Sequence, residues 1–468
     1  MQVDDYPPDG PSQPQSEAPD GDRRRSLPAV LSLFDAIAIV VGSIIGSGVF
    51  MKASVVAREL ESFGPIVLTW AGIGIVTLCG SLALAELAAM MPHAGGPYVY
   101  LREAYGRLPA FLWGWTEFWI IRTGSLGALA TATIIYLDQV VPIPEGVEGL
   151  TAVGLILLLT FVNWRSTRWG ANVQSITTVV KLGFLAVLIS LPFWLGKADT
   201  ANLAPIWPEA TGFDFWRSVG MAAIAVMWAY DGWINIAPVA EDIRNPQRNI
   251  PLALTFGMII IVLTYIGANT AYHLVLSMDQ VATSDAVASD TFYVLLGRVG
   301  IPLAALGVMC STFGATQSSM LVGPRIYFAM ARDDLLPRRL SNVHAVHATP
   351  GNAVLLQGAW ASLLVFAAYA GTENPAAAFD ILTNFVIFGG SVFYAMAVAS
   401  VFVLRFKRPD WPRPYRTLGY PWTPSIYLLA FLAVLASLLV DNWQPSLAGG
   451  GLIAAGAVYY AWRLRRVV

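Results

Sequence analysis

Two short stretches of this 468-residue sequence put weak helix formers where an apolar helix would otherwise run unbroken. Gly42-Ser43-Ile44-Ile45-Gly46-Ser47-Gly48-Val49-Phe50 holds three glycines and two serines within seven residues. Trp228-Ala229-Tyr230-Asp231-Gly232-Trp233 holds a carboxylate and a glycine in the middle of a second apolar run. An interrupted helix exposes unpaired N–H groups at the start of one half and unpaired C=O groups at the end of the other. The first set suits a carboxylate, the second an ammonium or metal cation. A third candidate is Lys181, about eleven residues, or roughly 16 Å, into its own apolar run. There a fixed ammonium could hold freed carbonyls without a diffusing ion.

Each candidate has a plainer reading. Gly42-x-x-x-Gly46 is also a small-x-x-x-small packing contact. Lys181 could be hydrogen-bonded to carbonyls for structure alone. Asp231 could neutralise a cationic side chain of a substrate, or cap the second half-helix by accepting N–H bonds. It lies about eleven residues from Gly220, so it cannot snorkel to water.

The elements that must position these groups follow from composition. Hydrophobic residues make up 56% of the chain and charged residues 12%, about half the share in soluble domains, and the mean hydropathy is +0.60. A soluble enzyme and a nucleic-acid binder are excluded; a multi-span, all-α membrane protein is expected. Runs of about 20 apolar residues predict twelve spans, near 30–57, 64–91, 109–141, 148–163, 169–195, 214–240, 250–276, 297–330, 351–370, 378–404, 424–440 and 446–462. With the N-terminus inside, 21 of 28 Lys and Arg fall on inner segments, which predicts that both termini are cytoplasmic. Residues 1–25 read as a disordered tail, rich in Pro, Asp, Gly and Ser and ending in Arg23-Arg24-Arg25.

The remaining polar residues offer no enzyme chemistry. No nucleophile, carboxylate pair or metal set converges, so no enzymatic activity, cofactor or metal is expected. Cys79 and Cys310 sit in apolar runs, and His93, His273, His344 and His347 are scattered. Glu117 and Arg122 are five apart, about 140° around an α-helix, and are expected to tether separate neighbours rather than pair. Glu86, near the inner end of the second span, reads as structural. The interruptions fall in spans one and six, so halves 1–5 and 6–10 would insert with opposite orientation. Matching breaks in two such halves point to a binding site between inverted repeats. An α-amino acid carries the carboxylate and ammonium such a site suits on one carbon.

At these residues the chain resembles the amino acid-polyamine-organocation transporter superfamily, and within it the L-type amino acid transporter branch. The matching motifs are Gly46-Ser47-Gly48-Val49-Phe50, Gly95-Gly96-Pro97-Tyr98 leading to Trp115-x-Glu117-x-x-Ile120-Ile121-Arg122, and Tyr230-Asp231-Gly232-Trp233. Glu241-Asp242-Ile243-Arg244-Asn245-Pro246, Ala329-Met330-Ala331-Arg332-Asp333 and Arg413-Pro414-Tyr415-Arg416 extend the match over about residues 30–425. The resemblance implies a five-plus-five inverted-repeat (LeuT-like) core over 26–405, with helices 1–5 at about 30–195 and helices 6–10 at about 214–404. Peripheral helices 11–12 and a short cytoplasmic C-terminus would occupy 406–468.

It further implies amino acid transport across the cell membrane, commonly sodium-independent exchange by alternating access. The substrate carboxylate would meet N–H groups around Gly46, Ser47 and Gly48, and its amino group the carbonyls near Ser43, Ile44 and Trp228. Trp228 would be the aromatic gate, followed by Ala229, and Asp231 and Trp233 would border the side-chain pocket. Lys181 matches a lysine whose ammonium replaces a bound sodium between the first and eighth helices. Members that move larger neutral substrates often have Asn directly after this Trp; here Ile234 stands there. Animal members bond an accessory subunit through an outer-loop Cys between helices three and four; residues 138–149 contain none, so no disulfide-linked partner is expected. Proton-coupled symport, polyamine transport, and a channel or sensor on the same fold are the alternatives.

Overall fold

A computed structural model describes residues 27–467 apart from 145, 210, 345, 372–374 and 442. The tail expected over 1–25 lies outside the described residues. Among those residues the chain is helical, and its one β contact is a parallel bridge between Leu31 and Ile243. Nine segments among the described residues are long and apolar enough to cross a membrane.

The first apolar run is two helices, α1 (Leu33–Ile44) and α2 (Gly48–Leu60). α1 opens on a reciprocal cap in which Ser32 and Asp35 bond each other's backbone N–H. α3 (Phe63–Met90) follows, then α4 (Pro97–Tyr105), a nine-residue helix where the sequence suggests only a loop. α5 (Arg107–Thr116) and α6 (Arg122–Asp138) flank a π-helical turn at Glu117–Ile121. α7 (Glu148–Arg165) and α8 (Thr167–Trp194) complete the first half. α9 (Phe213–Ala229) ends at the second interruption and continues as a 3₁₀ segment, Trp233–Asp242. After α10 (Pro246–Val275) come two short helices absent from the sequence expectation, α11 (Met278–Thr283) and α12 (Val287–Leu296). At six and ten residues they are too short to register as spans of their own. α13 (Gly300–Arg332), α14 (Gly351–Ala370), α15 (Pro375–Lys407), α16 (Trp422–Asp441) and α17 (Trp443–Val467) end the chain.

The core brackets the interruptions. α10 packs on α1 and α3, α13 on α6 and α8, and α9 on α2. Outward faces of α7 and α8 expose Leu157, Leu158, Phe161, Ile176, Val179 and Val180, as expected where lipid is the solvent.

The expectation for Glu117 and Arg122 is incorrect. Arg122 Nε lies 3.0 Å from Glu117 Oε2, and the Arg122 N–H bonds the Glu117 carbonyl. The i→i+5 turn widens the helix and brings residues five apart onto one face, which the α-helical angle does not allow. Glu86 is a structural tie: it accepts from Arg405 at 2.6 Å and from the N–H and hydroxyl of Thr417 at 2.7 Å each.

At the α1 end of the bundle, backbone bonds tie the segment before α1 to the end of the 3₁₀ segment. Leu31 N–H donates to the Asp242 carbonyl at 2.8 Å, and Arg244 N–H to the Leu31 carbonyl at 2.9 Å. Glu241 collects Leu27 N–H, Ala94 N–H and Arg332 at 2.8–3.0 Å. Asp242 pairs with the buried Arg325 at 3.1 Å.

Candidate functional site

The two interruptions meet. α1 stops at Ile44 and α2 starts at Gly48, so Ile45, Gly46 and Ser47 form the gap. A Cβ on Gly48 would lie 2.5 Å from the Ala229 Cα, the last turn of α9. Gly232, at φ +111°, lies so near that a Cβ there would be 2.7 Å from the Ser43 carbonyl oxygen. These glycines therefore let two backbones approach more closely than any side chain permits.

The carbonyls freed at the end of α1 have identifiable partners. Lys181, fully buried on α8, donates from Nζ to Ile45 O at 2.7 Å, Gly42 O at 2.9 Å and Ser311 O of α13 at 3.3 Å. All three ammonium hydrogens thus have acceptors. Ser311 Oγ lies 2.8 Å from Gly46 O and 3.2 Å from Ile45 O. The Tyr265 hydroxyl of α10 lies 2.9 Å from Ala229 O and 3.1 Å from Ile44 O, linking both broken ends through one hydrogen. At the other side of the gap, Ser47 heads α2 without a side-chain cap, so its first N–H groups are left to a ligand or water.

A small pocket lies between the breaks. Ser43, Ile44, Gly46, Ser47 and Gly48 line it from the first, and Trp228, Asp231 and Gly232 from the second. Of the residues expected to bind substrate, Ala229 and Trp233 do not line it, and neither does Lys181, which stands behind the first break. Ala229 packs behind Gly48, and Trp233 sits against Tyr394 and Tyr427 at ring separations of 6.2 and 5.5 Å. The Asp231 carboxylate takes hydrogen bonds from the Tyr394 hydroxyl and the Gly232 N–H. The Ser43 hydroxyl bonds that of Ser318.

Six further lining residues come from elements without a visible break or from beyond it: Arg122, Ser125, Leu129, Ala315, Ser319 and Asn235. Ser311, Ala315 and Ser319 recur every four residues on one face of α13, a small-residue stripe that is the only sequence signal for this wall. Arg122 reaches the pocket because its turn is π-helical, which residue spacing does not reveal. Among the described residues, no group of three or more His, Cys, Asp or Glu is arranged to hold a metal.

Comparison with known proteins gives this geometry a family. The amino acid permease family model matches residues 31–461. The chain is 32% identical over 440 residues to the serine/threonine exchanger SteT of Bacillus subtilis (strain 168), covering 93% of this chain and 97% of that protein. It is 31% identical over 442 residues to the human (Homo sapiens) b(0,+)-type amino acid transporter 1, covering 92% and 86%. It is 33% identical over 458 residues to the mouse (Mus musculus) large neutral amino acids transporter small subunit 2, covering 95% and 82%. An all-helical chain with interrupted helices around a buried lysine, matched over most of its length to amino acid carriers, belongs to the amino acid permease family.

Proposed function

We propose that this protein is a secondary amino acid transporter, an exchanger working by alternating access without sodium. Its substrate lies between the two interruptions. The carboxylate meets the N–H groups of Ser47 and Gly48 beside Gly46, and the amino group meets the carbonyls of Ser43, Ile44 and Trp228. Ile44 O already receives Tyr265, but a carbonyl has a second lone pair to offer. Lys181 serves as a fixed cation, holding the end of α1 in the bent form that leaves these groups free. Trp228 closes over the substrate. Ala229 and Trp233 support the second break from behind, and Asp231, tied to Tyr394 and Gly232, holds its shape at the pocket edge.

The observation that carries this reading is the meeting of the two breaks at Gly48 and Gly232 around a pocket, with Lys181 on the freed carbonyls of the first. Backbone groups at both ends of broken helices recognise the constant part of an amino acid, and neither a metal nor a covalent step is needed. We further read twelve spans, with repeats 1–5 and 6–10 inverted about the pocket and helices 11–12 peripheral, in the cell membrane with both termini cytoplasmic. The excess of Lys and Arg on one set of segments supports that orientation. Residues 138–149 lack a cysteine, which supports a carrier without a disulfide-linked subunit.

Counterflow in proteoliposomes tests the mechanism. Labelled amino acid should accumulate only when unlabelled amino acid is trapped inside, equally in sodium and potassium buffers. Equal uptake into empty vesicles driven by a sodium or proton gradient would make the protein a symporter.

A further inference from the structure

Asn235 stands out among the pocket residues because its side chain is unfinished. It is 5% exposed and lines the pocket, yet its buried Oδ1 has no hydrogen-bond partner. Its backbone is settled, since its N–H donates to the Gly232 carbonyl at 3.0 Å in the turn that follows the break. A buried carboxamide left unpaired costs free energy that a ligand can recover. The charged groups of the pocket and Ser43 are already engaged: Asp231 by Tyr394 and Gly232, Arg122 by Glu117, and Ser43 by Ser318. The 3₁₀ turn after Gly232 matters here, because it brings residue 235 to the pocket while Ile234 is absent from its lining.

We propose that Asn235 is the specificity-determining residue for the substrate side chain, and that it selects small amino acids bearing a hydroxyl or carboxamide. This rests on the substrate site described under Proposed function. A carboxamide presents an acceptor on one atom and a donor on the other, and a hydroxyl or carboxamide satisfies either. An aliphatic side chain satisfies neither, and it leaves Asn235 desolvated without a partner. A cationic side chain drawn to Asp231 would also meet the Arg122 guanidinium, a like charge that lines the same pocket and acts on the same carboxylate. Leu129 and Ala315 place apolar surface beside the small residues Ser125 and Ser319, which fits a short side chain with one polar group.

Threonine and valine share a shape and differ by hydroxyl against methyl, so their kcat/KM ratio in proteoliposome exchange reads the interaction directly. The wild type should favour threonine about five- to tenfold, the effect of one neutral hydrogen bond. Asn235→Ala should bring the ratio near one, chiefly by lowering threonine exchange, while valine exchange persists. Asn235→Ser, which keeps a hydrogen-bonding group at the position, should recover part of the preference. A wild-type ratio near one, a stronger preference for arginine or lysine, or an equal loss of both substrates in Asn235→Ala would overturn the assignment. The wild-type ratio decides even if a variant fails to fold. Absence of exchange of any amino acid by the wild type would instead remove the transport reading itself.

Discussion

Lys181→Met keeps most of the side-chain stem and deletes the ammonium, isolating the role of the fixed cation. In the native protein Nζ reaches Ile45 O at 2.7 Å, Gly42 O at 2.9 Å and Ser311 O at 3.3 Å. The losses are unequal. Ile45 O keeps Ser311 Oγ at 3.2 Å, and the Ser311 carbonyl belongs to the continuous helix α13, whereas Gly42 O sits in the last turn of α1 with Lys181 as its donor. Hydrogen bonds from a charged donor contribute about 1.5–3 kcal/mol each, and a stranded buried carbonyl costs about 1–3 kcal/mol. Part of that is returned because the ammonium no longer has to be desolvated. A net loss of about 3 kcal/mol from the bent form corresponds to roughly a hundredfold fall in kcat/KM for exchange. The assay is initial-rate counterflow in proteoliposomes with matched protein content, beside a size-exclusion profile that shows the variant intact. Wild-type rate and affinity in an intact Lys181→Met protein would refute the argument and leave the lysine without a role in transport.

Two further substitutions probe other parts of the site. Asp231→Asn should lower exchange of threonine and arginine by similar factors, because the carboxylate is engaged with Tyr394 and Gly232; competition assays reporting a selective loss of arginine and lysine would assign it to substrate cations instead. Glu117→Gln should destabilise the protein by about 3–5 kcal/mol by leaving Arg122 unpaired in the bundle. The double variant Glu117→Gln, Arg122→Gln should recover much of that in detergent unfolding, and strictly additive losses would contradict the pairing.

What was legible in the sequence, and what was not, divides along physical lines. The interruptions are legible because Gly and Ser at mid-span are costly unless the backbone is used, and the observed gaps at Ile45–Ser47 and Tyr230–Gly232 fall within the two motifs. Lys181 is legible for the same reason, since a charge at that depth demands partners. The Glu117–Arg122 pair is illegible because a π-helical turn depends on packing, and ideal α-helical angles then mislead. Asn235 is hidden by a one-residue matter of register: the sequence draws attention to Ile234 beside Trp233, while a 3₁₀ turn presents the next residue. Trp233 shows the converse, a prominent aromatic that the turn directs toward Tyr394 and Tyr427. The short helices α4, α11 and α12 lack a long apolar run and so carry no span signal.

The central claim is that backbone groups at two touching breaks hold the amino acid, and Gly48 tests it most directly. A Cβ there would meet the Ala229 Cα at 2.5 Å, so a leucine must push the breaks apart and fill the space over the N–H groups of Ser47 and Gly48. Counterflow by Gly48→Leu, inserted and monodisperse in the same proteoliposomes as wild type, should be absent for every amino acid the wild type exchanges. Exchange by Gly48→Leu at the wild-type rate would contradict the account.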